Sequence, residues 1–352
     1  SLQPVDPQMR KQLCSAWTVT LHYQTLRALD EALSRVGEEQ RAIEFRREAA
    51  EILSDFRRLL INQGTIAGFA LFGDQISYML HPEDKTTGIR YSLLPMIHAI
   101  INDMLSPDQA AHHLEIIKLN LLGPDGARLF DKPFEYRGGT ERLFQRAESS
   151  SFFGREIGLM YTHAHLRYAE ALAHMGEASE FHKMLALVNP ISVRSLVPSA
   201  NRRQSNCYYS SSDATFLDRY EAFAKYGRVK TAAVNFDGGW RVYSSGAGIN
   251  VGLIVRRFLG LGVEHRLLCI DPIVPKELDG LRVALHLLGK PLEVLYQVKE
   301  RGAGPIAVSL NGTSLAFSRR PNPYRLGAVE LEMPDFLSRW QNSKNILEII
   351  LS

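Results

Sequence analysis

The sequence predicts a mainly α chain that ends in a β domain. Two observations carry this. Through the first part of the chain, apolar residues recur at helical spacing; after about residue 264 the period drops to two. At 352 residues and 45% apolar content, the chain can bury a sizeable core, and its length suggests about two domains. The expected division is a helical part over residues 1–264 and a β part over 265–352.

The helical part opens with two long helices over residues 8–62. Leu13, Trp17, Leu21, Leu26, Leu29 and Leu33 lie at helical intervals, and Gly37 closes the run. A charged amphipathic helix follows over 38–60. Residues 64–73 read as a Gly-rich loop carrying Phe69 and Phe72. A second helix pair is expected over 91–104 and 107–122. Ser106 caps the latter, and Pro107 takes its first position, where a missing N–H is harmless. Residues 123–153 read mostly as loop, and further helices are expected near 154–175, 177–188, 213–226 and 248–260. In the last part, Leu281-Arg282-Val283-Ala284-Leu285-His286-Leu287 alternates as a half-buried strand does. Short strands are expected at 292–298, 306–310, 314–317, 328–331 and 346–351, with Asn311-Gly312 as a hairpin turn.

Composition narrows the function classes. The net charge is +3 from 41 basic and 38 acidic residues, with no Lys/Arg block, so nothing marks a nucleic-acid partner. No apolar run reaches the ~18 residues that a membrane span needs. Cys14, Cys207 and Cys269 are odd in number and widely spaced, which suits a reducing cytoplasm better than a disulfide framework. The chain opens Ser1-Leu2-Gln3-Pro4, neither a Met start nor a signal peptide, and is read as a piece of a longer protein. His112-His113 and His163-x-His165 are the close histidine groups, but neighbours one or two apart on a helix do not face each other. With no Cys-x-x-Cys or His-Glu-x-x-His spacing, no metal is expected. Gly-x-Ser-x-Gly is missing, which argues against a Ser-His-Asp hydrolase.

Three segments concentrate polar chemistry. The first runs from Phe144 through Arg146, Glu148 and a Ser-rich stretch into Glu156 and His163. If one helix covers 154–175, Glu156 and His163 share a face two turns apart and can point a carboxylate and an imidazole into a pocket. The same spacing also suits a polar stripe turned to solvent. The second segment is Gly238-Gly239-Trp240-Arg241-Val242-Tyr243-Ser244-Ser245-Gly246-Ala247-Gly248, leading into an apolar helix. Small hydroxyl residues ahead of a helix suit an anion, because free N–H groups and the positive helix end favour it; they equally suit simple capping. The third, Asn206-Cys207-Tyr208-Tyr209-Ser210-Ser211-Ser212-Asp213, offers aromatics and hydroxyls to a sugar, or Ser212 or Asp213 as a helix cap.

These segments resemble, in order, those of the inverting glycoside phosphorylases of glycoside hydrolase family 94. Glu156-x-Gly158-x-x-Tyr161-Thr162-His163-Ala164 is similar to the family's Glu-Asn-Gly-Gly-x-Tyr-Thr-His-Ala. Gly239-Trp240 with Tyr243-Ser244-Ser245-Gly246-Ala247-Gly248 is similar to its Gly-Trp…Thr-Gly-Ser/Thr-Ala-Gly. Leu259-Gly260-Leu261 and Ile270-Asp271-Pro272-x-x-Pro275 follow in the family's order. The resemblance implies the C-terminal part of such an enzyme: a portion of an (α/α)6 barrel, then a β-sandwich. It implies inverting phosphorolysis of a β-1,2- or β-1,4-linked glucooligosaccharide, with inorganic phosphate as co-substrate and no cofactor. By the same resemblance His163, Ser244 and Ser245 bind phosphate. It likewise implies that Glu156 contacts sugar near the leaving group. From the polar and aromatic character of their own segments, Arg146, Glu148 and Tyr209 are expected as further sugar contacts.

Departures from the family pattern matter. Ile157 stands at the family's Asn, Leu159 at a Gly, and Ser244-Ser245 at its Thr-Gly. The family's general acid sits in an Asp-Trp-Asn/Asp-Asp loop, but none of Trp17, Trp240 and Trp340 follows an Asp. The acid is therefore expected upstream of Ser1, the missing N-terminal part of the enzyme is the expected partner, and the chain alone is expected to be inactive. A cytoplasmic location and a homodimer complete this expectation. Two other readings stay open: a non-catalytic sugar-binding or scaffold relative that lost the acid, and an inverting glycosidase with its pair among carboxylates such as Glu148 and Asp237.

Overall fold

The computed structural model describes residues 4, 6–134, 158–191, 193–241, 244–342 and 344–352. The chain divides into two compact units, one of residues 1–168 with 187–243 and the other of residues 169–186 with 244–352.

In the first unit the helices Ala16–Arg35 and Glu39–Leu59 pack as a hairpin. Gly37, at φ 82°, makes the turn between them in the left-handed region that glycine adopts without strain. The first helix buries Ala16, Thr20, Tyr23, Leu26 and Asp30, spaced three or four apart along one face. The second offers Ala42, Ala49 and Phe56, whose two alanines let the backbones approach. Asp30 is 7% exposed and accepts from Arg46 Nη2 and Nε across the hairpin, at 2.7 and 3.2 Å. The helix Leu93–Ile101 is buried nearly all round and packs on Ala16–Arg35. Pro107–Ile116 starts as its sequence dictates: Ser106 Oγ accepts the Gln109 amide at 3.2 Å, and Gln109 returns its side chain to the Ser106 amide at 3.1 Å.

Several local expectations are corrected. The first long helix starts at Ala16, capped by Ser15; residues Leu13–Ser15 are a strand instead. That strand pairs with Phe69–Phe72, which pairs in turn with Ile76–Met79, so the expected loop at 64–73 contains strands. Within the described residues, the helix expected over 154–175 is interrupted by the strand Met160–Tyr161 and resumes as Thr162–Met175. No continuous helix therefore runs from the position of Glu156, which lies outside the described residues, to His163. The helix expected over 213–226 is confined to Arg219–Lys225. Asp218, not Ser212 or Asp213, caps it by accepting the Tyr220 and Glu221 amides at 2.9 Å each. Ser211–Ala214 is the central strand of a sheet flanked by Met160–Tyr161 and Phe236–Gly238.

The second unit carries the helices Ala178–Leu187 and Ser244–Leu253 and two sheets. One sheet runs Leu261–Glu264, Leu267–Ile270, Val329–Glu332, Ser318–Arg319 in spatial order. The other runs Arg282–Leu287, Lys290–Val298, Ile346–Leu351, Pro305–Leu310, Thr313–Ser314. Alternate residues of both sheets, Leu268, Ile270 and Val329 from one and Val294, Tyr296, Ile349 and Leu351 from the other, meet in a single core. The buried Tyr296 hydroxyl donates to the Leu259 carbonyl at 2.8 Å, so the one polar atom of the largest core residue is satisfied. Asn311 and Gly312 both take positive φ, 53° and 79°, as a two-residue hairpin turn requires. The period-two region after residue 264 is thus a β region, interrupted by a 3-10 turn at Lys276–Leu278 and by the short α-helix Met333–Ser338 between its last strands.

Candidate functional site

Described parts of the three polar segments, at residues 160–163, 209–213 and 238–240, meet at one small sheet in the first unit. Tyr161 pairs with Ser211, and Gly238 with Ser212. The helix Thr162–Met175 is pinned where it begins: the Thr162 amide donates to the Ser210 carbonyl at 2.9 Å, and its hydroxyl to the Tyr209 carbonyl at 2.8 Å. Ser210 also binds Trp240 twice. Its amide donates to the Trp240 carbonyl at 2.8 Å, and its Oγ accepts the Trp240 amide at 2.9 Å. Gly238 and Gly239 make this approach possible. A Cβ on Gly238 would run into the Tyr209 ring, and one on Gly239 into the Ser211 hydroxyl.

His163 is the second residue of its helix, half-buried, with its ring stacked parallel to Tyr161 at 6.1 Å between centroids. Burial, and then the charge of Arg167 one turn along, hold its pKa below the usual value for histidine. Both effects favour the neutral imidazole, which donates from one nitrogen and accepts at the other. Tyr209 is half-buried. Its hydroxyl accepts the Gln204 amide at 2.7 Å, and the Arg203 guanidinium lies over its ring at 5.6 Å.

Around this sheet lies a charge cluster that nothing in the sequence pattern marks. Asp125 and Arg128, both almost fully buried, pair at 2.8 and 3.2 Å. Arg203 donates to Ser212 Oγ at 2.8 Å. Burial pushes the Asp213 carboxyl up to about 6, against the opposing pull of Ser211, Arg128 and Arg203. Asp213 Oδ1, Arg128 Nε and Arg203 Nε are buried without a hydrogen-bond partner among the described residues. The residues Gly123-Pro124-Asp125-Gly126 have the composition of a turn, but nothing in a linear sequence marks Arg128 as buried. Asp237 lies directly across the sheet from Asp213, is exposed, and accepts from Asn201 Nδ2.

In the second unit, Ser244 and Ser245 occupy the first turn of Ser244–Leu253 rather than preceding it. Ser245 Oγ is buried and has no hydrogen-bond partner among the described residues. Arg146, Glu148 and Glu156 lie outside the described residues. No group of three or more His, Cys, Asp or Glu placed to hold a metal ion occurs among the described residues, and no described helix is long and apolar enough to cross a membrane.

The chain is similar to known proteins over most of its length. Residues 260–350 match the glycoside phosphorylase C-terminal domain family. The chain is 42% identical over 334 residues to a 1,2-beta-oligoglucan phosphorylase of Listeria innocua serovar 6a, a match covering 94% of this chain and 30% of that protein. The chain thus spans less than a third of the length of this relative. A solved sialidase structure superposes with a TM-score of 0.54 at 14% identity, covering 91% of this chain and 27% of that one, a likeness of fold alone. Over most of its length the chain is a relative of the glycoside phosphorylases.

Proposed function

We propose that this chain is the C-terminal part of an inverting phosphorylase of β-1,2-linked gluco-oligosaccharides. The observation that carries the reading is the 42% identity to a 1,2-beta-oligoglucan phosphorylase across 94% of the chain. In this reading the helical part contributes to an (α/α)6 barrel and the two C-terminal sheets form a β-sandwich. A carboxylic acid outside this stretch protonates the leaving glycosidic oxygen. A phosphate oxygen attacks the anomeric carbon from the opposite face, the glycosidic bond breaks, and a β-glucoside yields an α-sugar 1-phosphate. No second carboxylate is needed to activate water, because phosphate arrives as an anion.

His163, Ser244 and Ser245 are the proposed phosphate ligands. The unpartnered Ser245 hydroxyl and the free N–H groups of a helix start suit an anion, which supports the assignment. His163 is the proposed donor, its neutral ring recharging when a phosphate dianion binds beside it. Glu156, with Arg146, Glu148 and Tyr209, is proposed to contact the sugar. Inorganic phosphate and the oligosaccharide are the substrates, and no cofactor takes part. The complete protein is proposed to act as a cytoplasmic homodimer, and this chain alone to be inactive.

The test is the phosphate KM of the complete protein. Losing a hydrogen bond to a charged group is worth about 1.5–3 kcal/mol, so His163→Ala should raise the phosphate KM roughly ten- to a hundredfold. Ser245→Gly, the family residue, should be tolerated, because the backbone N–H that remains at the helix start still serves the anion. An unchanged phosphate KM in His163→Ala removes the histidine from the site.

A further inference from the structure

We propose that Trp240 is a sugar-stacking platform, a role that rests on the phosphorolytic reading above and names the aromatic contact of its oligosaccharide site. Trp240 is 75% exposed, although leaving so large an apolar ring in water forfeits the gain of burying it. Its backbone is not loose. The amide is held by Ser210 Oγ at 2.9 Å and the carbonyl by the Ser210 amide at 2.8 Å, so the ring stands on a fixed base.

That base is shared with the proposed phosphate residue. The Ser210 carbonyl accepts the amide of Thr162, the neighbour of His163. Trp240 and the His163 helix start are therefore fastened to the same residue from two sides. A polar chain starts at the next residue: Arg241 donates to Gln204 Oε1 at 2.8 Å, and Gln204 Nε2 to Asn206 Oδ1 at 2.6 Å. A β-glucosyl ring fits such a surface, because its equatorial hydroxyls leave two faces of axial C–H groups for an aromatic while its rim seeks donors and acceptors. Tyr209 is less suited to this task. Its ring is covered by Arg203 on one side and approached closely by Gly238, and its hydroxyl is already engaged.

The experiment compares Trp240→Ala and Trp240→Phe with the parent in the complete protein, reading oligosaccharide KM, phosphate KM and melting temperature with β-1,2-glucotriose as the probe. The platform predicts an oligosaccharide KM raised about tenfold in Trp240→Ala and within about threefold in Trp240→Phe. It also predicts an unchanged phosphate KM and melting temperature. In a direct titration with the trisaccharide, the tryptophan fluorescence change of the parent should be lost in Trp240→Phe. An unchanged oligosaccharide KM in Trp240→Ala overturns the platform and leaves the phosphorylase reading intact. So does a Trp240 shielded from acrylamide in the sugar-free complete protein, which makes it a packing contact. Cleavage by water without phosphate instead overturns the reaction while the Trp240 binding result still stands or falls by the titration.

Discussion

The amide of Thr162 donates to the carbonyl of Ser210 at 2.9 Å, forty-eight residues along the chain. This bond sets the helix that carries His163 against the strand Ser211–Ala214. It joins two segments that a linear reading treats as separate motifs. Ser210 then passes the connection to Trp240 through its own amide and hydroxyl.

Because Ser210 Oγ is the acceptor for the Trp240 amide, Ser210→Ala leaves that donor without its partner. The expected loss is about 1–2 kcal/mol in a urea unfolding experiment. Gly238→Ala should cost more, since its Cβ meets the Tyr209 ring. Gly248→Ala is the control. It lies inside a helix with no atom within 4 Å of the new Cβ, so it should be neutral or stabilise by up to about 1 kcal/mol.

The pair Asp125–Arg128 is buried at 2% and 3% side-chain exposure. Asp125→Asn strands the guanidinium charge and should cost about 3–5 kcal/mol. Replacing both residues, Asp125→Leu with Arg128→Met, should recover most of that loss. If the double variant is as unstable as the single one, charge burial is not the cause.

How much of this was legible in sequence depends on the element. The helices Ala16–Arg35, Glu39–Leu59 and Pro107–Ile116 announce themselves through apolar spacing and, for the last, a Ser-Pro start. The C-terminal strands show their period of two because one face of each is buried in a common core. The sheet beneath His163 was illegible for the opposite reason. Ser211-Ser212-Asp213-Ala214 has no apolar alternation; it is a strand because its neighbours pair with it, not because of its own side chains. Met160-Tyr161 interrupts what reads as one long helix, a tertiary pairing that overrides local periodicity. The glycines at 238 and 239 were visible, but their reason, the Tyr209 ring and the Ser211 hydroxyl, lies elsewhere in the chain.

Asp213 gives a pH dependence with a definite sign. Burial raises its folded pKa to about 6, above the ~3.9 of an unfolded chain. Between those values the folded protein holds a proton that the unfolded chain has released. Its contribution to stability is therefore full below the unfolded value and is lost as pH rises through 6. Asp213→Asn should remove this slope, narrowing the stability difference between pH 5 and pH 7.5 by about 1 kcal/mol. Equal slopes in parent and variant would refute the shift.

His163 should titrate below the ordinary histidine value, by burial first and Arg167 second. Arg167→Gln should raise that pKa, and saturating inorganic phosphate should raise it further in the complete protein. Imidazole resonances followed by NMR from pH 5 to 8 decide this. A His163 pKa indifferent to phosphate would separate the residue from the anion.

The most direct test follows the complete protein by ³¹P and ¹H NMR with a β-1,2-gluco-oligosaccharide, with and without inorganic phosphate. The account predicts a sugar 1-phosphate of α configuration that forms only when phosphate is present, with one oligosaccharide unit lost per phosphate consumed. Free glucose released at the same rate without phosphate, or a β-configured product, would contradict it.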